Sequence, residues 1–384
     1  MLALRLARGT HPLILLRRLM VAAASGGVGF LLLCTLAGAM ARTEPSPEPL
    51  LRLLWCLVPL AATVQFAVAV ARTDPSTRPR PGLSAVGLGP VRLTALAAVS
   101  TAVACTLGSM LALLVFLHLR GDLTGLPFDG AAPQLLSAEQ PLPLGAALTL
   151  LGIVPVAAAG AAAIALRPRR TKPVDGFSDE GEDARAGAAP AGLPWGVALT
   201  AAGLAVESYA GTEAAVGTGA HPPAGVLAGW ALSALGLAVA GPGIAHLCGR
   251  VLQSMRPGAV RLLAGRALMD DAVRIGRPLG VLSAVASAMI AATTLSRAGT
   301  TPRPFGELTE LGATLVLVCT VATLFTSVLD VRHARAAVRE GLRGLGTPAS
   351  FLRASALLRT LILMVIFAPL TWAVAALAAV PLRH

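Results

Sequence analysis

The stretch LMVAAASGGVGFLLLCTLAGAMA, residues 19 to 41, decides the class of fold. It contains no charged residue and exceeds the roughly 20 apolar residues that a helix needs to cross a bilayer. Apolar runs of similar length follow at 50–71, 94–117, 144–166, 193–209, 224–247, 277–296, 308–329 and 356–380. Composition agrees, because 55% of the residues are hydrophobic and only 13% are charged. The sequence therefore predicts an all-α polytopic membrane protein with about nine transmembrane helices.

Arginine placement predicts the orientation, because cytoplasmic segments retain Lys and Arg. With the N-terminus inside, 25 of the 31 basic residues fall in cytoplasmic segments. We therefore expect a cytoplasmic N-terminus and an external C-terminus in a bacterial cytoplasmic membrane. The net charge of +12 reflects this topology and an attraction to anionic membrane lipid rather than nucleic-acid binding.

Two short patterns recur about 260 residues apart. LALRLA at 2–7 resembles LAGRAL at 263–268, and GLGP at 87–90 resembles GLGTP at 344–348. In both copies the first pattern leads through arginines into a long apolar run. The sequence therefore predicts a duplicated membrane unit with the two copies in parallel.

The segment between the last two apolar runs predicts a short amphipathic helix. Val338, Leu342 and Leu345 follow one another at helical spacing, and Gly346 provides a stop before the next span. Such a helix would lie under the membrane on the arginine-rich side. Anchoring to lipid headgroups is the alternative interpretation.

The residues Arg339-Glu340-Gly341-Leu342-Arg343-Gly344-Leu345-Gly346-Thr347 resemble the segment that connects the second and third helices of each unit in FtsX/MacB-like ABC transporter permeases. The basic Leu-Ala-x-Arg lead into the first helix also looks like that family. The resemblance implies a coupling helix that docks on a separate cytoplasmic P-loop ATPase. The residues implied at that ATPase-coupling interface are Leu83, Val86, Leu88 and Gly89 in the first unit, and Val338, Leu342, Leu345 and Gly346 in the second.

The complete layout resembles bacitracin-resistance-type permeases, which handle antimicrobial peptides and related lipid-bound antibiotics. It consists of two FtsX-like units in parallel repeat joined by two extra helices, but without a large extracytoplasmic domain. We expect a first four-helix unit at 1–166, a flexible cytoplasmic linker at 167–192, two connecting helices at 193–247, and a second unit at 248–384. The second unit lacks a fourth helix; either this helix has been lost or a second permease subunit supplies it.

The chain has no sequence signature of an enzyme. Lys172 is the only lysine and has no glycine loop before it, so a phosphate-binding P-loop is missing and ATPase activity is expected on a partner. The histidines and cysteines form no catalytic, cofactor or metal set. The candidate contacts along a substrate path are Pro59, Gln65 and Pro369, which interrupt apolar runs.

Three functions remain open at this stage. The first is the permease subunit of an ABC transporter that exports an antimicrobial peptide, lipid or drug, or transmits a mechanical signal. The second is a non-transporting scaffold or sensor derived from that fold. A secondary carrier is the third, and the lack of Asp, Glu, Lys or Arg in mid-span counts against it.

Overall fold

The computed structural model describes residues 12–41, 48–73, 90–122, 136, 142–167, 192–216, 224–254, 258–297 and 307–379. All regular elements in these ranges are α-helices. Their bounds are α1 Pro12–Met40, α2 Glu48–Thr73, α3 Pro90–Arg120, α4 Leu144–Ala165, α5 Gly192–Val216, α6 Ala224–Ser254, α7 Ala259–Asp270, α8 Ala272–Arg297, α9 Glu307–Ala334, α10 Ala336–Gly344 and α11 Ala349–Ala379.

Within the described residues, eight helices are long and apolar enough to cross a membrane. They are α1 to α4, α6, α8, α9 and α11. Large apolar side chains such as Leu107, Leu111 and Leu361 stay exposed on these helices, as lipid-facing residues do. The chain is thus an all-helical polytopic membrane protein.

The predicted fifth span, 193–209, forms the helix α5 but is not one of these eight. Its sequence is diluted by Gly, Pro, Thr and Ser, and it carries Glu207. These residues lower the mean hydropathy of any window long enough to span the bilayer. The expectation of nine spans therefore becomes eight strongly apolar helices plus α5.

The first compact unit contains 1–171 and 305–323. Helices α1 to α4 pack against one another, and the first part of α9 joins them. Leu33, Phe116 and Leu151 are buried at the centre, and the rings of Phe30 and Phe116 meet edge to face with centroids 6.2 Å apart.

Close contact between α1 and α3 depends on Gly108. A Cβ atom at this position would collide with the Ala22 carbonyl oxygen. Nearby, the Ser25 hydroxyl donates a hydrogen bond to the Cys105 carbonyl oxygen at 2.8 Å. A small residue that admits a neighbouring backbone, with an interhelical hydrogen bond beside it, is typical of helix packing in membranes.

The second compact unit contains 172–304 and 324–384. Helix α6 packs against α5, α7 and α8, while α11 packs against α7 and α8. The contact between α5 and α6 depends on glycines. A Cβ atom at Gly196 would lie 2.7 Å from the Ala240 Cα atom, and one at Gly229 would lie 2.8 Å from the Gly203 carbonyl oxygen. The two backbones therefore approach closely along most of their length.

The predicted domain boundaries and the parallel repeat remain predictions. The first copies of both repeated patterns lie almost entirely outside the described residues. The second copy of the N-terminal pattern lies in α7, and the second copy of the glycine pattern follows α10. The predicted linker 167–192 also lies almost entirely outside the described part.

Candidate functional site

The predicted amphipathic helix is present as α10, Ala336–Gly344. Val338 is 61% exposed and Leu345, which immediately follows the helix, is 84% exposed. Leu342, between them at helical spacing, is half-buried. The arginines of this segment, Arg339 and Arg343, are half-buried and exposed, respectively. Helix α10 therefore presents apolar side chains to its surroundings beside a basic rim.

Helix α10 ends in a glycine cap. The Gly346 N–H donates to the Arg343 carbonyl oxygen at 2.9 Å, and the Thr347 N–H donates to the Leu342 carbonyl oxygen at 3.1 Å. Gly346 has φ 85°, the left-handed conformation that this pair of hydrogen bonds requires. The cap fixes the direction in which Leu345 leaves the helix.

Replacing Gly346 by alanine is expected to loosen this cap. Alanine in the left-handed region costs about 1 kcal/mol, which corresponds to roughly fivefold faster hydrogen exchange for amides protected by local opening of α10. Gly344→Ala is the matched control, because a Cβ atom there meets nothing within 4 Å and the residue is helical. Equal exchange rates in the two variants would contradict this role for Gly346.

A buried ion cluster anchors the start of α10. Arg335 lies between α9 and α10, and its Nε atom is 2.7 Å from the Asp271 Oδ2 atom. An Arg335 terminal nitrogen donates to the Ala267 carbonyl oxygen at 2.8 Å and lies 3.6 Å from the Asp270 Oδ2 atom. Arg359 of α11 lies 3.8 Å from the same Asp271 oxygen. The cluster therefore ties α10 to α7 and α11.

Burial dominates the electrostatics of Asp271, which is 6% exposed. Desolvation raises the pKa of the Asp271 carboxyl, while the guanidinium groups of Arg335, Arg359 and Arg274 act in the opposite direction. The attraction therefore does not fully offset the cost of burying the carboxylate. Such a cluster fixes geometry more than it adds stability.

The structure describes only part of the predicted site. Leu83, Val86, Leu88 and Gly89 lie outside the described residues. In the second unit, Val338, Leu342, Leu345 and Gly346 share one short segment, as the spacing predicted.

The three candidate substrate-path residues do not form a common site within either unit. Pro59 is fully buried in α2 and Gln65 is exposed on the same helix, in the first unit. Pro369 is exposed on α11, in the second unit. None of the three lines the small cavity beside Arg18 and Ser100 or the one beside Glu207 and Trp230.

Two features were missed at the level of sequence. The first is the cluster around Arg335, whose partners are far away in the chain. The second is the burial of Glu207, which is only 2% exposed on α5, near the end of a weakly apolar span. The one available signal was an acidic residue inside an apolar run.

Comparison with models of known protein families, with curated proteins and with solved structures finds no match for this chain. The fold defines the class, a helical polytopic membrane protein with a short amphipathic helix between its last two spans.

Proposed function

We propose that the chain is the membrane-spanning permease subunit of an ABC transporter. It would couple ATP hydrolysis by a separate cytoplasmic ATPase to export or extraction of an amphipathic substrate, such as an antimicrobial peptide, lipid or drug, or to mechanical transmission. The observation that carries this proposal is the combination of exposed apolar side chains along α10, at Val338 and Leu345, with a charged anchor at the start of the helix.

The exposed apolar side chains of α10 resemble those of a protein–protein interface. Leu345 and Val338 offer apolar side chains to a cleft, and Arg339 and Arg343 surround them with the residue type that is enriched at protein interfaces. The glycine cap holds Leu345 in a defined direction. A helix of this kind is suited to enter a cleft on a partner and be held there.

The ion cluster at the start of α10 would couple this helix to the membrane helices. A displacement of α10 is transferred through Arg335 to the C-terminal carbonyl of α7 and, through Asp271, to Arg359 of α11. Helix α11 is one of the eight apolar spans, and α7 leads directly into another, α8. Movement of the ATPase would therefore reach the membrane without passing through a flexible joint.

The neighbouring genes and a co-expression experiment test the proposal: a P-loop ATPase should be encoded beside this chain and be available for co-expression with it. We expect the two proteins to co-purify from detergent and the purified chain alone to show no ATP hydrolysis. Failure to form any complex would overturn the assignment as a permease. Assembly with ATPase stimulation but without substrate movement in proteoliposomes would favour the non-transporting scaffold or sensor.

A secondary carrier is the second candidate, and Glu207 is the observation that favours it. A buried carboxyl in a membrane bundle is a typical coupling site in ion-driven carriers. Substrate uptake driven by an imposed ion gradient, in vesicles that contain no ATPase, would identify this function.

A further inference from the structure

Glu207 lies within the close contact between α5 and α6. Its Oε1 atom accepts a hydrogen bond from the Ser233 hydroxyl at 3.2 Å. A Cβ atom at Gly229 would lie 2.5 Å from the Glu207 Cγ atom, so glycine at this position leaves the space that the carboxyl stem occupies. The sequence of α6 is thus locally adapted to hold a carboxyl group inside the helix pair.

The other carboxyl oxygen faces a small cavity. The Glu207 Oε2 atom and the Trp230 Nε1 atom are both buried without a hydrogen-bond partner among the described residues. Both residues line the same cavity of about 40 Å³, together with Ser233 and Ser287. A buried water needs roughly 10–15 Å³ and two to four polar partners, so this cavity has room for one and the polar atoms to hold it.

Among the described residues that line this cavity, none carries a positive charge. Helix α6 contributes Trp230 and Ser233, α8 contributes Ser287, and the remaining lining residues are alanines and Val374, so none of the residues that face Glu207 from α6, α8 or α11 is ionisable. An unpaired carboxylate in an apolar helix bundle is strongly disfavoured. A bound proton or cation would remove this cost.

The arginine cluster lies too far away to supply that charge. Ser287 is sixteen residues from Asp271 along α8, and Val374 is fifteen residues from Arg359 along α11. At 1.5 Å per helical residue both separations are about 23 Å. The cavity is thus at the end of the second unit remote from the arginine cluster, which is the predicted external side.

We propose that Glu207 is a proton-binding site, in which a buried water bridges the carboxyl Oε2 atom and the Trp230 Nε1 atom. A proton removes the negative charge, and a water accepts from the indole N–H while it hydrogen-bonds to the carboxyl group. A metal cation would satisfy the carboxylate but leave the indole donor unmatched. The proposal is independent of the ATPase assignment.

Infrared difference spectroscopy of the purified full-length chain in lipid nanodiscs tests this site. The chain has 19 acidic side chains, so several carboxylic-acid carbonyl bands are expected at low pH. We expect one pH-dependent component of this spectrum to belong to Glu207 and to be lost in Glu207→Gln, while the bands of the other carboxyl groups remain. Glu310→Gln is the matched control, because Glu310 is an exposed glutamate on α9, and it should retain the band. If Glu207→Gln loses no carbonyl band, the proposal is overturned.

Three further measurements separate the proton from other ligands and test the water. Replacing sodium by choline should leave the titration midpoint unchanged, and a shift with sodium would identify a cation site instead. Trp230→Phe should retain the band at a different frequency, and an unchanged frequency would exclude the bridging water. If Glu207→Gln does not fold, Ser233→Ala provides a second test. It should shift the carbonyl band of Glu207, because the Glu207 Oε1 atom loses the hydrogen bond from the Ser233 hydroxyl.

Discussion

Replacing Leu345 by glutamate is expected to abolish stimulation of the partner ATPase without unfolding the membrane helices. Leu345 is 84% exposed in the chain, so a charged side chain there remains solvated and adds no strain. In the complex the same position would be buried, where an unpaired charge is strongly disfavoured. Loss of an interface hot spot of about 2 kcal/mol lowers affinity roughly 30-fold. Co-purification and stimulated ATP hydrolysis measure the effect.

Leu345→Met is the matched control, since it preserves an apolar side chain of similar volume and should behave as the wild type. Val338→Glu should reproduce the defect, because Val338 belongs to the same exposed apolar surface. The equivalent change at Leu88 should have a milder effect, as the first-unit pattern is weaker. Wild-type assembly and stimulation in Leu345→Glu would contradict the coupling role and favour the alternative, in which α10 is an interfacial lipid anchor.

The membrane helices and α10 could be predicted from sequence because both depend on local patterns. A span requires only a run of apolar residues, and α10 requires only Val338 and Leu342 at helical spacing before a glycine. The glycine that ends α10 could also be predicted, since glycine is the residue type that adopts the φ of 85° found at Gly346 without strain. The structure adds the two hydrogen bonds that fix the end of α10.

The charged and buried features could not be predicted because their partners are distant in the chain. Arg335 meets Asp271 across 64 residues, and Glu207 meets Ser233 on the following helix. Hydropathy places Glu207 near the end of a weak span, where an exposed position is the ordinary expectation. The close approach of α5 and α6 across their glycines contributes to its burial, together with residues of α8 and α11.

Replacing Arg335 by alanine is expected to lower the free energy of unfolding by about 3 kcal/mol, the effect of removing one partner from a buried ion pair. Arg335 is largely buried, with 22% of its side chain exposed. Its loss leaves Asp271 with the weaker effects of Arg359 and Arg274 and removes the hydrogen bond to the Ala267 carbonyl oxygen. Unfolding in mixed detergent and SDS measures the change, with Arg353→Ala as the exposed control on α11.

The loss of stability in Arg335→Ala should also depend on pH, and the titration of Asp271 sets the direction of that dependence. Burial already raises the pKa of Asp271, and loss of Arg335 removes one of the groups that lower it. A carboxyl whose pKa is raised on folding favours the folded state below its ordinary pKa, and this contribution is lost as the pH rises through the folded-state pKa. The loss of stability in Arg335→Ala should therefore be smallest in acid and grow towards neutral pH.

A double variant with Arg335→Ala and Asp271→Asn should recover part of the lost stability at neutral pH, because no buried carboxylate remains. A deficit that is independent of pH and unchanged in the double variant would show that Arg335 acts through packing alone, and α10 would then lose its charged connection to α11.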